Sequence, residues 1–354
     1  MGKYMLSYTL GPEIRDYSIG SGFYMRIRDD LRKCVVFLGH EDNTQPGNIK
    51  CIGTGFLLRY KKFFHLVTVK HVALELGEYP FIVRANLIRG GAANIQGDQV
   101  EWYFHPDNSV DLAVIASILR KEIYDALYLP EELMKSVGEY NIGIGDVCYT
   151  IGLFRLLYGN QKNLPVVHTG NIAMVPEDEK IPVEDWDNPD RRIKRSKYIE
   201  GYLIGSQSLS GLSGAPVFAR ATTDVKLPCL ESRAEDIAGE RFSLSDVFLI
   251  GIWQGAWTAP PDEVMVREIE MGAQTRVPLG MGVVIPTAKL IELMESPQME
   301  KKRAEIYAER ETKVHAAELD SVKSSFKTEN PEHKEDFNSL LIAAVKKKPP
   351  ADET

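Results

Sequence analysis

The sequence predicts an all-β protein: two six-stranded antiparallel β-barrels followed by a helical C-terminal extension. Three observations carry this expectation. Short runs rich in Val, Ile, Phe and Tyr recur between Gly, Asn, Asp and Pro turn signals, the pattern of half-buried strands. The runs fall into two sets of about six, one on each side of a stretch at 118–138. Sustained helical spacing dominates only beyond Ile285-Pro286-Thr287.

The first set comprises 33–39, 51–60, 63–69, 79–88, 100–105 and 111–117. Residues 118–138 have helical spacing and an internal Pro130, and they read as a helical crossover between lobes. The second set comprises 146–152, 165–173, 197–205, 215–220, 247–257 and 279–285. Two charged excursions, 175–196 and 221–246, read as exposed loops. The implied organisation is an N-terminal segment 1–29, a first barrel lobe 30–130, a second barrel lobe 131–295 and a helical tail 296–354. In the tail, Asn330-Pro331 is a good helix start, and Phe337, Leu340, Leu341, Ala344 and Val345 share one face. The tail either packs on the barrels or serves as a docking or oligomerisation element.

Composition narrows the function. The chain has 354 residues, 44% of them hydrophobic, which is ample for a packed core. A net charge of −8 argues against a nucleic-acid partner, which calls for a basic stripe. No apolar run is long enough to span a membrane, and the first residues lack the apolar core of a secretory signal. Cys34, Cys51, Cys148 and Cys229 are far apart with no C-x-x-C spacing, so neither a metal site nor a disulfide framework is expected. Reduced thiols and a cytoplasmic location are the default, and no cofactor is expected.

The stretch Ser206–Phe218 is small, Gly-rich and bounded by strand-like runs. Its Gly211-Leu212-Ser213-Gly214 turn can hold a serine hydroxyl outward and aim the N–H groups of Gly211 and Ser213 at one point. That is a nucleophile beside an oxyanion hole. A serine needs a base within reach, and the base needs an acid to fix its tautomer. His71, after an apolar strand, and Asp111, at the mouth of another, precede Ser213 in the order His–Asp–Ser. Ala215 and Pro216 do not suit the nucleophile elbow of α/β-hydrolases, which also place the residues in another order.

At these residues the chain resembles the trypsin-like serine peptidases of the chymotrypsin fold, most closely the bacterial high-temperature-requirement (HtrA) branch. Six blocks carry the likeness, in order, over roughly 30–295. Gly53-Thr54-Gly55-Phe56 precedes Thr68-Val69-Lys70-His71-Val72, and Phe104-His105-Pro106 leads to Val110-Asp111-Leu112-Ala113-Val114. Gly145-Asp146-Val147 with Ile151-Gly152, Thr169-Gly170-Asn171-Ile172, Gly211–Pro216 and Met281–Pro286 follow. The resemblance implies a serine endopeptidase acting on protein or peptide substrates, with His71, Asp111 and Ser213 as triad. It implies a specificity pocket with Gln207 at its base and Trp253, Gln254 and Gly255 along one wall. With no acid at the base, a strict Lys/Arg preference is not expected, and Trp253 either narrows the pocket or faces the core.

The departures are informative. Leu212 stands where secreted trypsins carry the aspartate that receives a freed N-terminus, so activation by that ion pair is not expected. Ala215 replaces a glycine, and Lys70 beside His71 is expected to point to solvent. No PDZ-like pattern follows residue 295. The alternative reading is a latent or inactive relative that binds peptides or partner proteins through the same groove.

Overall fold

The computed structural model describes residues 27–43, 48–77, 80–97, 100–116, 119–140, 142–176, 179–184, 196–207, 209–220, 247–259 and 277–308. Most of segment 1–29, the loop 221–246, the tail beyond 308 and Cys229 lie outside them. The described residues are mostly β, in two sets, as expected.

The first set contains β1 (Val35–Glu41), β2 (Ile49–Tyr60), β3 (Phe63–Thr68), β4 (Ile82–Asn86), β5 (Ala92–Gln96), β6 (Tyr103–Phe104), β7 (Ala113–Ala116) and β8 (Leu129–Pro130). They form one eight-stranded sheet in the order β5-β4-β1-β2-β3-β7-β6, with β8 alongside β2. The second set contains β9 (Val147–Gly152), β10 (Val166–Met174), β11 (Ile181–Glu184), β12 (Ser196–Ile199), β13 (Tyr202–Gly205), β14 (Pro216–Arg220), β15 (Val247–Ala259) and β16 (Val277–Pro286). Six of these close a barrel in the order β10-β13-β16-β15-β14-β9, while β11 and β12 pair as a separate ribbon. Closure leaves the six barrel strands without a free edge.

Packing joins the sets. Phe37, Phe56, Leu58 and Leu112 of the first lobe share one buried cluster with Ile151, Phe218, Leu249 and Ile285 of the second. A separate cluster inside the closed barrel holds Ile172, Ile204, Val217, Ile250 and Trp253. Trp253 is 1% exposed, so its ring belongs to that core. It covers Gly282, where any Cβ would overlap the indole. A Gly282→Ala substitution is therefore expected to destabilise by about 3 kcal/mol through overpacking, read as a lower denaturant midpoint at unchanged slope.

The crossover differs from the helical expectation. Leu129 and Pro130 run parallel to β2, opposite Leu58 and Arg59, and only a short 3₁₀ turn, Glu131–Leu133, follows. Pro130 has no N–H and biases Leu129 to extended backbone. Leu119, Tyr128, Leu129 and Met134 are buried, and the Tyr128 hydroxyl donates to the Leu119 carbonyl at 2.9 Å. Burial against the sheet outweighs local helix preference here. The Lys135 N–H then donates to the Leu249 carbonyl at 2.9 Å, entering the second lobe.

Two elements were not expected: a short helix, α1 (Lys70–Leu76), which begins beside His71, and strand β11 within 175–196, where Ile181 and Val183 are buried rather than exposed because β11 pairs with β12, the first part of the strand expected at 197–205. After β16 the expected helix forms as α2 (Thr287–Met294), and residues 297–308 are helical too. This part of the tail packs on the barrels. Leu290, Leu293 and Met299 are buried, and Gln298 donates to the Phe104 carbonyl at 2.8 Å. Glu295 accepts from the Tyr60 hydroxyl and, at 2.7 Å, from Lys61.

Candidate active site

Helix α1 starts where Asp111 can satisfy it. The first N–H groups of a helix have no partner within it. The Lys70 N–H donates to the Asp111 main-chain carbonyl at 3.2 Å, and the His71 N–H to Asp111 Oδ1 at 2.8 Å. The remaining oxygen, Oδ2, lies 2.6 Å from His71 Nδ1. One carboxylate thus holds both the backbone and the ring of His71. The Asp111 side chain is 3% exposed and that of His71 16%. Burial alone would raise the Asp111 pKa, but the His71 charge and both hydrogen bonds outweigh it and hold the carboxyl below its ordinary value. A carboxylate on Nδ1 fixes the tautomer whose Nε2 can take a proton.

The serine turn lies between β13 and β14. Leu212 is 1% exposed and packs in the closed-barrel core with Ala215 and Val217. Where secreted trypsins use an ion pair, this turn is anchored by apolar burial, which contributes about 2 kcal/mol for a leucine. On its other side the turn meets the first lobe. The Thr54 N–H donates to the Ser213 carbonyl at 2.9 Å. A Cβ on Gly53 would meet both Val72 of α1, at 2.7 Å, and the Ser213 carbonyl oxygen, at 3.1 Å. That packing sets the start of α1 next to the turn, with only a glycine between.

Gly211 has a φ of +104° and Gly214 of +87°, the left-handed region that favours glycine. Gly214 has no room for a side chain either, because a Cβ would run into the Thr54 carbonyl. Among the described residues, the N–H groups of Gly211 and Ser213 donate to no protein acceptor, whereas those of Leu212, Gly214 and Ala215 all do. The Ser213 hydroxyl donates to the Gln254 carbonyl at 3.1 Å. His71 and Asp111 are therefore joined directly. Ser213 is tied to the first lobe through Thr54, and its hydroxyl is turned to β15.

The residues expected to form the pocket are distributed. Gln207 is exposed just past β13. Trp253 serves the core, as described above. Gln254 is 2% exposed, with its side-chain Oε1 buried and without a hydrogen-bond partner among the described residues, and a Cβ on Gly255 would meet none of them within 4 Å. The Lys70 ammonium lies 5.9 Å from the centroid of the Phe104 ring.

Sequence reasoning assigned no role to Thr54 and named Gln254 only as pocket wall. The Gln254 contact uses a main-chain carbonyl, for which no side-chain signal exists. Among the described cysteines thiolate chemistry is disfavoured: burial pushes the Cys51 thiol up to about 11 and the Cys148 thiol up to about 12, and Cys34 rises as well. Among the described residues, no cluster of three or more His, Cys, Asp or Glu could hold a metal, and no helix is long and apolar enough to cross a membrane.

No family model and no curated relative matches the chain. Among solved structures, the active form of the Rv3671c protease from M. tuberculosis aligns with a TM-score of 0.36 and 16% identity, over 74% of this chain and 80% of that one. The inactive form of the Rv3671c protease gives a TM-score of 0.35 and 15% identity, over 74% and 88%.

Proposed function

We propose that this chain is a serine endopeptidase. The observation that carries the reading is the two-point hold of Asp111 on His71, beside a turn whose Gly211 and Ser213 N–H groups donate to no acceptor among the described residues. In this reading Ser213 Oγ attacks the scissile carbonyl carbon while His71 Nε2 takes the hydroxyl proton. The Gly211 and Ser213 N–H groups receive the charge that develops on the carbonyl oxygen. The C–N bond then breaks, and the imidazolium returns its proton to the leaving amine. Water, deprotonated by the same nitrogen, hydrolyses the acyl-enzyme and restores Ser213. Asp111 stays ionised throughout and stabilises the imidazolium. The substrate is a protein or peptide, and the absence of an acid among Gln207, Gln254 and Gly255 disfavours a Lys/Arg preference.

One observation favours a second reading, a latent peptidase. The Ser213 hydroxyl bonds Gln254 and must turn to His71 before it can be activated. A fluorophosphonate probe tests both. Labelling that disappears in Ser213→Ala and His71→Ala is the expected result, and cleavage of a casein-type substrate separates a peptidase from other acyl hydrolases. Labelling that appears only after a partner or substrate is added supports latency. No Ser213-dependent labelling under any condition leaves a non-catalytic peptide- or partner-binding scaffold.

A further inference from the structure

Four successive carbonyls of the serine turn, from Ser210 to Ser213, are captured. The Ser210 carbonyl accepts from the Arg155 N–H at 3.1 Å, and the Leu212 carbonyl from the Ala215 N–H at 2.8 Å. The Ser213 carbonyl accepts from the Thr54 N–H at 2.9 Å. The Gly211 carbonyl accepts from the Thr54 hydroxyl at 2.7 Å. In a planar trans peptide the N–H points opposite to the carbonyl. The bonds to the Ser210 and Leu212 carbonyls therefore orient the Gly211 and Ser213 N–H groups one peptide at a time, and their mutual aim depends on the peptide between them.

Between those two peptides lies the Gly211–Leu212 peptide. It follows a glycine, the residue with the widest choice of backbone angles. Among the described residues its carbonyl is held only by a side chain, that of Thr54. That side chain belongs to the other lobe and is fully buried. The same Thr54 oxygen accepts the Leu153 N–H at 2.9 Å, so its single proton is directed to Gly211. Thr54 is held in turn by the Thr68 hydroxyl, which donates to the Thr54 carbonyl at 2.7 Å.

We infer that Thr54 is a positioning residue: its hydroxyl locks the Gly211–Leu212 peptide and so keeps the Gly211 and Ser213 N–H groups aimed at one point. The inference rests on the peptidase reading. It couples the first lobe to the oxyanion hole, which lies wholly on the second. Thr54→Val preserves the branched shape and removes the hydroxyl. Thr54→Ser keeps the hydroxyl and removes the methyl.

The test compares the rate of Ser213 labelling by a fluorophosphonate, with kcat and KM on a casein-type substrate and near-UV circular dichroism as the folding check. Losing an oxyanion donor slows acyl transfer by about 10²–10³-fold, so folded Thr54→Val is expected to label about 10²-fold more slowly, with the loss in kcat rather than KM. Thr54→Ser is expected to restore most of the rate. Equal rates in wild type and Thr54→Val, or equal slowing in Thr54→Ser, overturn the proposal and leave the peptidase reading standing. No Ser213-dependent labelling of the wild type removes both. Should Thr54→Val not fold, Thr54→Ala takes its place: slow labelling beside a fast Thr54→Ser supports the proposal, and equal rates overturn it.

Discussion

Ser213→Ala is expected to lower kcat by about a millionfold, His71→Ala by a similar factor, and the double variant by no more than either alone. The non-additivity is the diagnostic part. Without the hydroxyl, His71 has nothing to deprotonate. Without the imidazole, Ser213 keeps its proton and remains a weak nucleophile. Each loss therefore removes the same step. The residual rate, about 10³–10⁴-fold over water, is what the Gly211 and Ser213 N–H groups and substrate binding supply on their own. Turnover of a casein-type substrate by the single and double variants checks this. Additive losses would mean that the two residues do not act as a unit.

Asp111→Asn is expected to lower kcat by about 10⁴-fold while leaving the fold in place. Asp111 offers an acceptor to each of two His71 donors, the main-chain N–H and Nδ1. An asparagine has one oxygen and one NH₂ group. Turning the NH₂ toward the His71 main-chain N–H sets donor against donor at the start of α1. The amide therefore turns its NH₂ to the ring, which makes Nδ1 an acceptor and puts the ring proton on Nε2. That is the wrong nitrogen for a base.

The same substitution changes the acid limb of stability. The folded Asp111 pKa lies below its ordinary value. Its contribution is complete above the unfolded carboxyl value of about 3.9 and is lost as pH falls through the lower folded value. Acidifying from about pH 5 to about pH 2 should therefore cost the wild type more stability than Asp111→Asn. Denaturant midpoints at both pH values check the sign, and a larger acid loss in the variant would contradict it.

Much of the fold was legible because strands bounded by Gly, Pro and Asn announce themselves locally. The first-set strands at 33–39, 51–60 and 63–69 and those of the closed barrel appear within a few residues of their predicted bounds. The errors lie where tertiary contacts overrule local preference. Residues 118–138 carry helical spacing, yet Leu129 and Pro130 lie beside β2 because the sheet offers them burial. Helix α1 is too short to show a period, and its first turn depends on an acceptor forty positions away, at Asp111. For Trp253 the sequence leaves pocket and core both open, and the ring goes into the barrel core because Gly282 leaves room for it.

By itself the sequence determined the chemical groups: an imidazole, a carboxylate and a hydroxyl in His–Asp–Ser order, each next to a strand-like run. It also determined that Leu212 cannot receive a charged N-terminus. Only the tertiary structure decided that one buried carboxylate grips His71 at two points. It alone directed the Ser213 hydroxyl to Gln254 and closed the turn with Thr54 from the opposite lobe. The physical reason is that these contacts run through main-chain N–H and carbonyl groups. Every residue except proline carries both groups, and only the folded chain determines which of them meet.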